Sequence, residues 1–176
     1  NEVMYNPDQT TDEYGEYIEL RSYDYRCIDT AGWSVTIDGI DPTFFPMGVY
    51  IYPGDTFIFA KTYDLALSCG VTADGLMVPY TTLNNEEENI TVWNEAHEVM
   101  AYITYCSGFG ETDTCEQAWP ICNPGESIEY CGPDNLIDNN SGSLWDCSQG
   151  IYGCGDKGTP NRINSCAEVS PTPTDG

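Results

Sequence analysis

The sequence predicts an all-β protein, an antiparallel β-sandwich with long, disulfide-stapled loops. Three observations lead there. Apolar and polar residues alternate with a period of two in short runs spaced every 8–15 residues, whereas helical periodicity is hard to find. Turn-forming residues separate these runs, among 17 glycines and 11 prolines. Nine cysteines are present, and seven of them fall between residues 106 and 166.

Taken along the chain, Glu16 to Arg21 reads as a half-buried strand, with Ile18 and Leu20 on one face and Tyr17, Glu19 and Arg21 on the other. Gly32 to Ile37 places Trp33, Val35 and Ile37 on one face. Val49 to Tyr52 and Thr56 to Ala60 flank Pro53-Gly54-Asp55, which reads as a tight reversal between two strands. Asn89 to Trp93, the turn Asn94 to His97, and Glu98 to Tyr105 form a second hairpin. Glu86-Glu87-Glu88 reads as its solvated end. Beyond Cys106 the chain is rich in Gly, Asn, Asp, Ser and Cys, and only Ser127 to Tyr130 has strand character.

The length of 176 residues suits one sandwich domain over 1–169, with a cysteine-rich loop region at 106–166 and a Pro/Thr tail at 170–176. No cysteine spacing is CxxC and there is a single histidine, so zinc and haem patterns are excluded. Cys27, Cys69, Cys106, Cys115, Cys122, Cys131, Cys147, Cys154 and Cys166 therefore read as up to four disulfides of open connectivity, formed outside the cytosol. The odd cysteine is a buried thiol or a link to another chain. Cys27 and Cys69 lack a crowded neighbourhood and are the candidates.

Several segments, in order, resemble the lamin-tail domain. Asn1-Glu2-Val3-Met4-Tyr5-Asn6-Pro7 matches its opening strand, Gly15 to Leu20 its Gly-Glu-aromatic-Ile-Glu-Leu strand, and Gly32-Trp33 to Asp38 its Gly-Trp strand. Phe44-Phe45-Pro46 with Pro53-Gly54, Leu83-Asn84-Asn85 to Val92, and Trp119-Pro120 follow. Gly125 to Glu129, Trp145, and Gly158-Thr159-Pro160-Asn161 with Asn164 complete the series. The resemblance is to secreted prokaryotic members. It departs from the family in its cysteine content and its elaborated 106–166 region. It implies an immunoglobulin-like sandwich that serves as a structural and interaction module rather than an enzyme.

Charge narrows the partners. With 29 acidic and 5 basic side chains the formal charge is −24, and the basic residues are scattered. That excludes a nucleic-acid partner and an anionic membrane surface. The longest uncharged run, Pro42 to Gly54, is thirteen residues, short of the roughly 20 apolar residues of a membrane-spanning helix. Neither a charged n-region nor an apolar h-region opens the chain, so a secretion signal is expected to have been removed already.

Catalysis is not expected. His97 lies in a turn, phosphate-binding glycine loops are absent, and no carboxylate pair stands out from 29 candidates. No cofactor is required. Calcium is the possible exception, because Asp134, Asp138, Asn140 and Asp146 offer hard oxygen ligands in one loop, without EF-hand spacing. Asn89 and Asn139 open N-glycosylation patterns.

The expected function is a secreted structural protein, the self-assembling subunit of an extracellular filament or surface layer, with copies of itself as partner. Strands or tails donated at sheet edges would join the copies, with the start at Asn1 and the Pro/Thr tail as candidate donors. The other reading is a monomeric cell-surface adhesion or carbohydrate-binding module that takes a glycan. Copies this acidic repel one another, so assembly is expected to depend on pH or divalent cations unless its interfaces are extensive and apolar.

Overall fold

A computed structural model describes residues 1–78, 81–106, 119–133 and 140–168. The chain is all-β. Its strands are β1 (Glu2–Met4), β2 (Tyr17–Arg21), β3 (Ile28–Asp29), β4 (Ser34–Ile37), β5 (Thr43–Phe44), β6 (Tyr50–Ile51), β7 (Thr56–Ala60), β8 (Gly75–Leu76), β9 (Glu87–Trp93), β10 (Val99–Cys106), β11 (Ile128–Tyr130) and β12 (Trp145–Cys147). One sheet has six strands in the order β12-β11-β1-β2-β7-β8, and a second has four in the order β10-β9-β4-β5. A short ribbon joins β3 and β6. Every pairing is antiparallel except β7 with β8.

The two sheets face each other across one core. Val3, Ile18, Phe57, Phe59, Ile128 and Trp145 of the six-stranded sheet meet Val35, Ile37, Ile90, Val92, Ile103 and Tyr105 of the four-stranded one. Aromatic packing fills the gap. Phe45, Phe57 and Phe59 lie with centroids 4.8–4.9 Å apart, and Tyr5 stacks on Tyr105 at 4.8 Å. Trp145, expected as a late tryptophan, packs against Trp119 and Tyr130.

The cysteine-rich region is part of the framework. It supplies β11 and β12, and β11 pairs directly with β1. The opening strand is therefore held on both sides, by β2 and β11. This corrects the expectation that it is free to be donated to another copy. The Pro/Thr tail lies outside the described residues.

Two local expectations also change. Pro53-Gly54-Asp55 does turn the chain, with the Asp55 N–H on Tyr52 O at 2.9 Å and Gly54 at φ +83°. The strands it joins do not pair with each other, however: β6 pairs with β3 and β7 with β2. Nor is β2 half-buried. Tyr17 and Glu19 are as buried as Ile18, because loops cover the outer face of the six-stranded sheet. There Met4, Tyr17, Ile58 and Ala60 form a second apolar cluster with Cys69, Val71 and Tyr152.

Disulfides tie the loops to the fold, one of them through Cys69 of that cluster and another through Cys122 of the core between the sheets. Cys69 is bonded to Cys154, Cys122 to Cys147 and Cys131 to Cys166, across 85, 25 and 35 residues. Cross-links of this span each stabilise a fold by roughly 3–5 kcal/mol. Gly153 lets the first crossing happen, because a side chain there would strike the Cys69 carbonyl. Cys106 is also disulfide-bonded, and Cys115 lies outside the described residues. Cys27 is free and exposed. The buried-thiol expectation thus fails for Cys27, which sits in a surface loop, and Cys69 is not the odd cysteine at all.

Candidate functional site

The edges of the four-stranded sheet are the first feature that requires a function. Edge strands expose unpaired N–H and C=O groups and are usually blunted. At three of the four edges of the two main sheets the strand is only two or three residues long: β5, β8 and β12. The fourth, β10, is eight residues long and pairs only with β9 among the described residues. It carries no charged side chain. Val99 is 54% and Met100 49% exposed, and Tyr102 is exposed beside them. The Thr104 N–H points away from β9, into the Asn140 carboxamide at 2.6 Å. Strand alternation turns the Tyr102 amide the same way.

The opposite edge is uncharged too. Phe45 N–H donates to Trp33 O at 3.0 Å, so alternation turns the Phe44 amide away from β4; in the β3–β6 ribbon that follows, Thr30 N–H donates to Val49 O at 3.2 Å, so the Tyr50 amide turns away from β3. Phe44 is 62% and Met47 98% exposed, and Tyr50 is exposed as well. This edge coincides with the uncharged run from Pro42 to Gly54.

The second feature is a row of buried acids. Glu129, Glu2 and Glu19 stand directly opposite one another across β11, β1 and β2. All three are completely buried. Like charges so placed destabilise a bare sheet. Here residues 158–166 cross over the row and supply donors. Glu2 accepts from Tyr17 Oη at 2.5 Å, Ser127 Oγ at 2.7 Å, Thr159 N at 2.9 Å and Thr159 Oγ1 at 2.7 Å. Glu129 accepts from Ser165 N and Cys166 N, both at 3.1 Å, and from Ser165 Oγ. Glu19 accepts from Asn161 N and Asn1 Nδ2. Asn164 ties the strap to the sheet through Asn1 O and Tyr130 O. Gly158 is required at the crossing, because a side chain would strike Tyr17 Oη and Glu2. Burial pushes the Glu19 carboxyl up to about 7.

Two further carboxyls are raised to about 7, both chiefly by burial. Glu16 accepts from Leu83 N at 2.9 Å and faces Lys61 Nζ at 3.6 Å. Glu88 accepts from Asn84 N at 2.8 Å. Glu88 corrects the reading of Glu86-Glu87-Glu88 as a wholly solvated hairpin end: its side chain turns inward to cap the 83–86 turn.

These acids form an arrangement of structural hydrogen bonds. The groups around the row are N–H and O–H donors that satisfy the acid oxygens. The Glu129 carboxylate and the sulfurs of Cys131 and Cys166 lie within 4.8 Å of one another, but those sulfurs are bonded to each other. Of the calcium candidates, Asp134 and Asp138 lie outside the described residues, as does the glycosylation candidate Asn139. Asn140 uses its carboxamide oxygen on Thr104, and Asp146 is exposed on β12 with Oδ1 on the Cys147 N–H. Asn89 is half-buried in β9, with Oδ1 accepting from Thr91 Oγ1 at 2.9 Å. His97 is exposed in the β9–β10 turn at φ +58°.

Hairpin patterning foretold β9 and β10 but not which of them is an edge. Glu2, Glu19 and Glu129, and the strap residues Thr159, Asn161 and Asn164, all fall in segments that resemble the lamin-tail domain, but strand alternation places Glu19 on the polar face and gives no sign of a buried row. No helix among the described residues is long and apolar enough to cross a membrane. No protein-family model matches the chain, and no curated protein matches it in sequence.

Proposed function

We propose that this is a secreted, non-enzymatic structural protein of lamin-tail type, the self-assembling subunit of an extracellular filament or surface layer. The observation that carries this reading is β10, a long, uncharged, part-apolar edge on a chain of charge −24 that pairs only with β9 among the described residues, with Asn140 on the Thr104 amide. An edge of this kind is a template for pairing with another strand. The disulfides fit an oxidising, extracellular setting. Light scattering and electron microscopy of the purified chain test it, across concentration, pH and added calcium. Ordered polymers that grow with concentration, and grow more readily as pH falls or calcium is added, are expected. Monodisperse monomers under every condition would contradict it.

A monomeric adhesion or carbohydrate-binding module is the second reading. The outer face of the four-stranded sheet favours it, where Trp93 Nε1 donates to Thr36 Oγ1 and Thr104 lies against Tyr102 Oη, an aromatic and hydroxyl-rich surface. Saturable binding of a defined oligosaccharide to monomers, lost in Tyr102→Ala, would select it.

A further inference from the structure

The proposed self-assembly leaves open which surfaces meet. The two longest uncharged runs of the sequence are Pro42–Gly54, thirteen residues, and Val99–Gly110, twelve. The fold puts β5 of the first run and β10 of the second at opposite edges of one sheet, while β6 of the first run pairs with β3 in the short ribbon. Two chains of charge −24 approach with least repulsion where neither carries charge. Each edge also presents outward amides, at Phe44 and Tyr50 on one side and Tyr102 on the other, beside exposed apolar side chains.

Direction fits as well. Pairing is antiparallel at each step from β10 through β9 and β4 to β5, so β5 runs opposite to β10. A second copy shifted across the sheet without reversal brings its β10 antiparallel to β5 of the first. We infer that the β5–β6 edge of one copy pairs antiparallel with β10 of the next, joining copies head to tail through a continuous sheet. Such a joint is heterologous and does not close on itself, so it propagates. A β10-to-β10 joint would stop at a dimer and leave Phe44, Met47 and Tyr50 uncovered.

This inference rests on the self-assembly reading, and one experiment separates the two. A Cys27→Ser parent removes the exposed thiol. Tyr102→Glu and Phe44→Glu are each added to it, placing a charge at one edge alone. Circular dichroism and melting confirm folding; if Phe44→Glu melts early, Met47→Glu replaces it. Sedimentation velocity is then run at pH about 6 in moderate salt. The parent is expected to polymerise, and each variant alone to stay monomeric at concentrations at least tenfold higher. An equimolar mixture of the two is expected to form a species of twice the 19.5 kDa chain mass and no larger. That capped dimer arises because each variant retains the edge that the other lacks. A Phe44→Glu variant that dimerises alone would overturn the head-to-tail joint in favour of β10 pairing with β10. Both variants polymerising like the parent would overturn the joint while sparing self-assembly. A parent that never polymerises would overturn both.

Discussion

The two sheets solve the problem of a highly acidic chain in opposite ways. The six-stranded sheet is covered on both faces, ends in strands of three and two residues, and buries three glutamates in a row. The four-stranded sheet is covered on one face and ends on one side in a strand of eight residues without charge, which has no partner strand beyond β9 among the described residues and whose Thr104 amide is taken by Asn140. One sheet thus takes acids inside and matches them with a strap of donors. The other keeps acids away from its edges. The buried acids and the Cys131–Cys166 bridge over them belong to the first, and the exposed apolar side chains Val99 and Met100 to the edge of the second.

Breaking the acid row has the largest expected effect. Glu2→Ala strands the Tyr17, Ser127 and Thr159 donors in a buried site, a loss of about 3–5 kcal/mol. Chemical denaturation of the variant against the parent measures it. Cys131→Ala with Cys166→Ala releases the strap end and is expected to cost roughly 4 kcal/mol by the same measurement.

The pH dependence sharpens the contrast. Glu16, Glu19 and Glu88 stand at about 7 in the folded chain against 4.5 as a reference. Between those values the folded chain holds more protons than the unfolded one. Stability therefore falls as pH rises from about 4.5 to about 7 and levels off above, by at most about 1.4 kcal/mol per pH unit for each group. Urea midpoints between pH 5 and 8 read this out, and Glu19→Gln should flatten part of the slope. The smallest expected effect on stability is at the edges of the four-stranded sheet. Tyr102→Glu and Phe44→Glu, both exposed, should change folding stability by about 0.5 kcal/mol or less while abolishing assembly.

Local pattern foretold much of the strand set. The alternation at Gly32–Ile37, the hairpin through Asn94–His97 and the strand at Ser127–Tyr130 depend on neighbours a few residues apart, and they stand as β4, β9–β10 and β11. What escaped depends on distant segments. Glu19 looks solvent-facing until residues 158–166 cross it, and Cys69 looks isolated until the chain returns 85 residues later. Pro53-Gly54-Asp55 reads as a hairpin turn because a turn motif says nothing about which sheet each arm joins. The long edge was hidden for the same reason, since strand order is a property of the whole chain. The calcium loop was argued from composition alone: Asp134 and Asp138 lie outside the described residues, and Asn140 accepts from the Thr104 amide.

Amide hydrogen exchange on dilute and assembled chain tests the central claim most directly, because it reads both edges at once. The account predicts that assembly slows exchange at Tyr102 and, in the same step, at Phe44 and Tyr50, while the strand amides of β1 and β11 are protected in both states. Assembly that leaves those three amides unchanged, with new protection elsewhere, would contradict it.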